Sequence, residues 1–547
     1  MQTTAIPKRD AKMSLAYLVI AFLAFGIGAI AGLLQGLVRG GVIELPDWLN
    51  YYQILTAHGV LMALIFTTFF IIGFMYSGIS KTTGGLSNFS FKAGWIGWAM
   101  MFFGTSMATA AILLNEASVL YTFYAPLKAT PWFYVGAALL VVGSWVAALG
   151  MLVNYAKWRK HNPGQVSPLF AFMTVATLVL WLIATSGLAV MVLFQLIPWS
   201  FGWVAEVNIL LSRMLFWFFG HPLVYFWLMP AYIAWYVCIP KIIGGKVFSD
   251  SLARLAFLLL VLFSIPVGFH HQLMEPGISE KWKFIHVILT LAVVVPSLLT
   301  AFSMFAVFET AGRRKGAKSM FGWFTKLPWK DVRFFAPMVG MLMFIPAGLG
   351  GIINASNQMN AVVHNTMWVV GHFHLTVATS VVLTFFGISY WLVPALSGRK
   401  LTKWANRLGI LQTLIWTVGM SFMSGAMHTM GLQGAPRRTD FTTYLDSVLG
   451  LSWMPYYKVM AFGGAMLFVG GMLMIGLFLY LLCFAPKGQE EFPIAELGDN
   501  HEPTPRILER WRVWIAVSAV LILLAYGYPI YDIIQNPAPG APPLRTW

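Results

Sequence analysis

Long apolar stretches repeated along the chain are the feature that most restricts its fold. A membrane-spanning helix needs about 20 mostly apolar residues in a row, and the sequence contains about 13 such stretches. Only 10% of the residues are charged, whereas soluble domains carry roughly 25%. We therefore predict an all-α polytopic membrane protein, a bundle of about 13 transmembrane helices that forms a single domain over residues 1–547. The predicted spans are 13–38, 51–79, 93–115, 132–156, 168–197, 206–240, 252–272, 282–311, 331–354, 361–397, 403–432, 458–486 and 510–535.

The basic residues are distributed by loop rather than gathered in one patch. Placing the N-terminus in the cytoplasm puts about 26 of the 35 Lys and Arg residues on that side, as the positive-inside rule requires. The net charge of +16 is therefore explained by topology, with the N-terminus cytoplasmic and the C-terminus outside. Nucleic acid is accordingly not expected as a partner.

Cysteine chemistry is not expected in this chain. The two cysteines, Cys238 and Cys483, both fall in apolar spans. Neither a disulfide framework nor a cysteine-based metal site is supported.

Six histidines stand at a similar predicted depth in the membrane. They are His58, His221, His270, His271, His372 and His374, and all fall between the outer surface and mid-membrane. His372 and His374 are two residues apart, about 200° around a helix, so that their side chains project from nearly opposite faces. Such a pair predicts one helix that serves two cofactors.

Imidazole is a good ligand for copper, zinc, iron and haem iron. His221 with the adjacent pair His270 and His271 could form a trigonal copper site with an open position. His58 and His374 could ligate a six-coordinate haem, and His372 alone could hold a five-coordinate haem open to a gas. The alternative is that these histidines bond carbonyl groups in the core of a transporter without cofactors.

A stripe of hydroxyl groups descends from the predicted metal site towards the cytoplasm. Tyr225, Tyr232 and Tyr236 fall within about 40° of one another on their helix, with His221 one turn before Tyr225. Ser297, Thr300 and Ser303 recur every three residues on another span. Together these groups could carry protons; the alternative is a packing stripe whose serine and threonine hydroxyls bond carbonyls four residues earlier.

Motifs along nearly the whole chain resemble subunit I of the haem–copper oxygen reductases. They are Tyr51-Tyr-Gln53 through His58-Gly-Val60, Gly220-His-Pro-Leu-Val-Tyr225, Phe269-His-His-Gln272, Val295-Pro-Ser297 and Gly371-His-Phe-His374. The resemblance implies that His221, His270 and His271 bind copper and that His221 is covalently joined to Tyr225. It also implies that His372 is the axial ligand of a high-spin haem and that His58 and His374 are the axial pair of a low-spin haem.

The type-B branch of that family is the most similar. Leu223 stands where the type-A branch typically has a glutamate that ends a second proton channel. The single remaining proton path matches Tyr225, Tyr232, Tyr236, Ser249, Ser297 and Thr300.

Residues of the outer loops match residues that surround the haem propionates in that family. Arg437 and Arg438 match the arginine pair that holds these groups, consistent with guanidinium–carboxylate bonding, and His364 matches a histidine nearby. Asn360 replaces an aspartate of type-B relatives, which leaves the group that receives protons on the exit side open.

The activity implied by the resemblance is that of a terminal respiratory oxidase. O₂ is reduced to water at a high-spin haem and a copper ion, Tyr225 supplies an electron and a proton, and proton uptake is coupled to pumping across the membrane. The expected cofactors are a low-spin b haem, a high-spin haem of a or o type and one copper ion. The expected partners are a subunit II with a dinuclear copper site, cytochrome c or a similar donor, and the lipid bilayer of a prokaryotic cell (inner) membrane.

Two further points stay open at this stage. Nitric oxide reduction is the alternative within the superfamily, although the presence of Tyr225 and the lack of an acidic residue beside His221 disfavour it. His286 and His428 are expected to be structural.

Overall fold

The computed structural model describes residues 6–440, 442–498, 503–538 and 544–545. Within these ranges the chain is helical and forms no β-sheet, only isolated bridges between single residues. The main helices are α1 Lys8–Arg39, α2 Tyr51–Thr83, α3 Asn88–Leu113, α4 Pro131–His161, α5 Leu169–Ser200, α6 Ile209–Ile242, α7 Asp250–Ser264, α8 Glu280–Arg314, α9 Val332–Ala355, α10 Met367–Ser397, α11 Lys403–Leu432, α12 Val448–Phe484 and α13 Trp511–Gln535.

Twelve of these helices in the described ranges are long and apolar enough to cross a membrane. The all-helical membrane architecture is thus confirmed, with one span fewer than the sequence suggested. The predicted span 252–272 forms only the 15-residue helix α7. The α-helix ends at Ser264, and after Ile265 and Pro266 the chain turns into a short 3₁₀ segment, Gly268–Gln272. Pro266 has no backbone N–H to donate and its ring crowds the carbonyl four residues earlier, which explains why the helix does not continue. The orientation of the two termini stays a prediction from the charge distribution.

The helices that carry the candidate ligands lie at the centre of the bundle. Between 83% and 89% of the apolar segments of α2, α6 and α10 are buried, against 28% for α8 and 22% for α13. The central helices therefore hold their side chains among protein atoms rather than lipid.

Each central helix also departs from regular α geometry close to the site. π-helical turns occur at Val60–Phe66 in α2, Ala234–Cys238 in α6 and Thr376–Val381 in α10. Such turns shift the register of the residues that follow and are frequent at functional sites. In α10 the hydroxyl of Thr379 donates to the carbonyl of His374, five residues earlier, at 3.3 Å.

A buried ion-pair network ties the segment before α13 to the rest of the bundle. Arg254 of α7 donates to Asp250 Oδ2 and to Glu509 Oε1, both at 2.6 Å. The same guanidinium donates to the carbonyl of Ser167, just before α5, at 2.6 Å. Because Arg254 is buried and pairs with two carboxylates, loss of either partner would leave a costly uncompensated charge. The network fixes the start of α13 against α5 and α7.

Candidate metal and cofactor site

Three of the predicted histidines form one cluster on α6 and the 3₁₀ segment. Candidate ligand atoms of His221, His270 and His271 lie within 4.8 Å of one another. Nδ1 of His221 is 3.1 Å from Nε2 of His271, and Nε2 of His221 is buried without a hydrogen-bond partner. Three neutral imidazoles in a buried cluster are a suitable donor set for a transition metal such as copper. The cluster therefore fits the copper site that the sequence predicts.

Neighbouring side chains hold the rings of this cluster in place. The ring of His271 stacks on Trp217, with centroids 4.1 Å apart and planes at 13°. Trp217 lies one helical turn before His221, so α6 supports the cluster with two residues. Tyr225 lies one turn after His221, with ring centroids 5.1 Å apart.

A second pair of histidines is formed by α2 and α10. The rings of His58 and His374 are nearly parallel, with planes at 6° and centroids 6.1 Å apart. Two metal–nitrogen bonds of about 2 Å, with roughly 1 Å from each nitrogen to its ring centre, also span about 6 Å. The spacing of the pair therefore fits one metal ion held between the two rings.

Backbone carbonyl groups determine which ring nitrogen carries the hydrogen in His58 and in His374. Nδ1 of His58 lies 2.9 Å from the carbonyl oxygen of Gly28, and Nδ1 of His374 lies 2.8 Å from that of Val370. A carbonyl oxygen only accepts, so each Nδ1 carries the hydrogen and each Nε2 keeps a free lone pair. Metal-ligating histidines are commonly oriented in this way.

His372 occupies a separate position on α10 and is close to α9. Its ring lies nearly parallel to that of Trp368, with centroids 5.8 Å apart. A Cβ atom added at Gly350 of α9 would lie only 2.6 Å from Nδ1 of His372. A side chain at position 350 would thus collide with the ring, which explains the need for glycine there.

All six histidines line one cavity of about 570 Å³. The cavity also reaches Tyr225, Ser297 and the outer-loop residues His364, Arg437 and Arg438. Most of its wall is apolar, as expected of a site that binds a large flat cofactor and places a few polar groups for orientation. The residues predicted separately as metal, haem and propionate ligands therefore face a shared space.

The outer end of the cavity is strongly basic. Arg437 donates to the neutral amide oxygen of Asn365 at 2.7 and 3.1 Å, and Nη2 of Arg438 is buried without a hydrogen-bond partner. Burial and the neighbouring charge of Arg438 lower the pKa of Arg437 to about 10. Two adjacent, partly buried guanidinium groups with an unsatisfied donor fit an anionic group such as a carboxylate.

An acidic residue that the sequence analysis missed lies beside this basic end. Oε1 of Glu275 accepts from Nε2 of His364 at 3.4 Å and also pairs with Arg213. The hydrogen bond from His364, followed by the charge of Arg213, lowers the pKa of Glu275 to about 2. No local pattern marks this glutamate, because its partners come from distant parts of the chain.

Some, but not all, of the residues predicted to form the proton path are in contact with one another. The hydroxyl of Tyr236 donates to Thr300 Oγ1 at 3.0 Å, and Ser297 lies within reach of Tyr232. Thr300 also donates to the carbonyl of Pro296 at 2.9 Å, as the packing alternative expected. Ser249 caps α7, since its hydroxyl accepts from the backbone N–H of Leu252 at 3.2 Å. Among the residues that the structure describes, no hydrogen bond joins Ser249 to the tyrosine stripe.

Known proteins are similar to this chain over nearly its whole length. A family model described as Cytochrome C and Quinol oxidase polypeptide I matches residues 12–467. Cytochrome c oxidase subunit 1 of a Thermus thermophilus strain is 43% identical over 98% of this chain and 97% of the relative. Quinol oxidase subunit 1 of Bacillus subtilis is 24% identical over 78% of this chain and 65% of the relative. Among solved structures, a haem–copper terminal oxidase dimer determined by cryo-EM has a TM-score of 0.92 and 38% sequence identity, covering 98% of this chain and 95% of that one.

Proposed function

The chain belongs to the cytochrome c and quinol oxidase polypeptide I family, and on that premise we propose that it is the catalytic subunit of a terminal respiratory oxidase that reduces O₂ to water. The observation that supports the proposal most strongly is that the three-histidine cluster and the parallel histidine pair line the same cavity. Nitric oxide reduction is not favoured, because the relatives named above are oxygen-reducing oxidases.

Haem and copper are the cofactors of this family, and the histidines divide between them. We propose that His221, His270 and His271 hold the copper ion, His58 and His374 the low-spin haem, and His372 the high-spin haem. When bound, these groups would pass the donor's electrons to O₂ and provide the position at which it binds. The low-spin haem is proposed to be of b type and the high-spin haem of a or o type.

Tyr225 is proposed to supply an electron and its hydroxyl proton during oxygen reduction. Its position one turn from His221 supports this role. Protons from the cytoplasm would enter near Ser249, pass along Tyr236 and Thr300, then along Tyr232 and Ser297, and so reach Tyr225. The contacts of Tyr236 with Thr300 and of Tyr232 with Ser297 support the central part of this route.

The basic outer end is proposed to hold the haem propionates. The unsatisfied Nη2 of Arg438 supports this assignment, and Arg437 and His364 border the same space. The bound carboxylates would neutralise the two guanidinium groups.

Assignment to the type-B branch rests on Leu223, and coupling to proton pumping is part of the proposal. Asn360 lines the cavity, donates to the carbonyl of Asn354 at 2.6 Å and keeps a buried Oδ1 without a partner. An amide does not take part in proton exchange as a carboxylate does, so another group must receive protons on the exit side.

The protein is a multi-pass membrane protein, and subunit I of this family works with other subunits in an oxidase complex. We propose that it acts as a single domain over residues 1–547 in a prokaryotic cell (inner) membrane, with the N-terminus cytoplasmic and the C-terminus outside. A subunit II with a dinuclear copper site would pass electrons from cytochrome c or a similar donor. The basic charge is explained by topology, so nucleic acid is not a proposed partner.

The test combines metal analysis with one conservative substitution. The purified complex with subunit II should contain two haem irons per three coppers, one copper in this chain and two in subunit II, and should consume O₂ when given reduced donor. Tyr225→Phe should retain both haems and the copper but lose O₂ turnover, whereas Tyr528→Phe, at an exposed site on α13, should retain turnover. Absence of haem bands, or full turnover by Tyr225→Phe, would contradict the proposal.

A further inference from the structure

His286 is a fully buried histidine that the proposed chemistry does not use. It lies on the first part of α8 and contacts the 3₁₀ segment that carries His270 and His271. Building on the proposed copper site, we infer that His286 and Tyr526 are positioning residues that hold the backbone of this ligand segment in place. The role is defined by contacts to the backbone just before the ligands, not by contact with metal or substrate.

Two side chains accept hydrogen bonds from consecutive backbone N–H groups of the ligand segment. The N–H of Gly268 donates to the hydroxyl oxygen of Tyr526 at 2.8 Å. The N–H of Phe269 donates to Nδ1 of His286 at 3.2 Å. Because a 3₁₀ segment leaves its first N–H groups without partners of its own, these bonds fix how the segment enters the site.

The protonation of His286 follows from its two partners. Nδ1 accepts from a backbone N–H, so the hydrogen is on Nε2, which donates to the carbonyl of Ala525 at 3.1 Å. Ala525 lies in the π-helical turn Leu523–Gly527 of α13, next to Tyr526. The neutral imidazole therefore links α13 to the ligand segment.

Ring packing strengthens the same link. His286 stacks on Phe269 with centroids 3.9 Å apart, and the ring of Tyr526 stands edge-on to both at 4.9 and 5.2 Å. Ala525 and Tyr526 are buried, although only 22% of the apolar segment of α13 is buried. A Cβ atom at Gly268 would collide with the hydroxyl of Tyr526, so the glycine permits this approach.

The helix that carries His286 also orients one of the proposed ligands directly. Thr290, one turn further on, donates its single hydroxyl hydrogen to the carbonyl of His286 at 2.6 Å. Its oxygen must then accept from Nδ1 of His270, which lies 3.0 Å away. Nε2 of His270 is left with a free lone pair for the metal.

Tyr526→Phe is the most direct test, because it removes one hydroxyl group and leaves the ring packing intact. We expect copper to be lost to a chelator about 10- to 100-fold faster than from the unmodified protein, the usual effect of removing a group that orients a metal ligand. Both haem spectra should be unchanged. Tyr531→Phe, at an exposed site on the same helix, should lose copper at the unmodified rate.

A pair of substitutions at position 286 distinguishes a role in positioning the ligand segment by a hydrogen bond from a role in packing alone. His286→Asn can still accept from the N–H of Phe269 and should keep more copper than His286→Leu, which cannot accept. Copper-edge X-ray absorption should show a changed nitrogen shell in His286→Leu and partial recovery in His286→Asn.

The outcomes distinguish this inference from the proposed function. Unmodified protein that binds no copper would overturn the metal assignment itself. Copper-loaded unmodified protein, with Tyr526→Phe and His286→Leu both matching it in copper loss and absorption spectrum, would overturn only the positioning role. If His286→Leu does not fold, the isosteric Tyr526→Phe decides.

Discussion

Gly32→Ala should weaken the low-spin haem site without altering any ligand. Gly32 lies on α1 against the ring of His58, one turn after Gly28, whose carbonyl accepts from the same ring. The substitution adds one methyl group, which would lie 2.6 Å from Nδ1 and 2.7 Å from Cε1 of His58.

The displacement follows from these distances. Ordinary van der Waals contact begins at 3.4 Å, so the ring must move by about 0.8 Å unless the two helices separate. Metal–ligand distances in proteins vary by only about 0.2 Å, and movement away from α1 also stretches the hydrogen bond to Gly28. We therefore expect ligation by His58 to weaken by about tenfold or more.

The assay is the reduced-minus-oxidised optical spectrum, with haem content measured on the same sample. Gly32→Ala should lose much of the low-spin band and keep the high-spin haem, because His372 is not touched. Gly36→Ala is the matched control: it is one turn along α1, and its nearest neighbouring atom is 4.0 Å away. Both substitutions raise helix propensity equally, by about 1 kcal/mol. An intact low-spin band in Gly32→Ala would refute the placement of His58 against α1 or its role as a ligand.

Two further results are expected. Gly350→Ala places a methyl group 2.6 Å from Nδ1 of His372 and should disturb the high-spin haem while sparing the low-spin band. Gly425→Ala, on α11 with open space around it, should do neither, and equal effects of the two would contradict the prediction. The pKa of Glu275 is lowered to about 2 from its ordinary 4.5 by its basic partners, so its ionised form stabilises the fold above about pH 4.5 and this contribution is lost as the pH falls towards 2. The melting temperature of Glu275→Gln should lie below that of the unmodified protein at pH 7 and approach it as the pH falls. Glu44→Gln, at an exposed site, should show no such convergence. A difference in melting temperature between Glu275→Gln and unmodified protein that stays constant over this pH range would exclude the ion pair as the cause.

Local chemistry made the membrane fold and the ligand types predictable from the sequence. Apolar length predicts spanning helices because each such segment must satisfy its own backbone in lipid. The spacing of His372 and His374 places their side chains on opposite sides of one helix wherever that helix lies. The break at Pro266 could have been anticipated from proline alone, yet the apolar run that continues to Phe269 concealed it.

Regular helical spacing was a poorer guide where the helices depart from regularity. The stripe through Tyr236 was derived for an unbroken α-helix, but this residue lies in the π-helical turn Ala234–Cys238. Its contact with Thr300 is therefore a product of both the local turn and the packing of α6 against α8.

The sequence by itself determined that this chain forms membrane-spanning helices and carries imidazoles on several of them, because hydropathy and side-chain chemistry are properties of each segment alone. Only the tertiary structure decided which rings meet and how they are protonated. His58 faces His374 although more than 300 residues separate them. The carbonyls that orient those two rings, and the contact of His286 with the ligand segment, likewise arise from packing between helices.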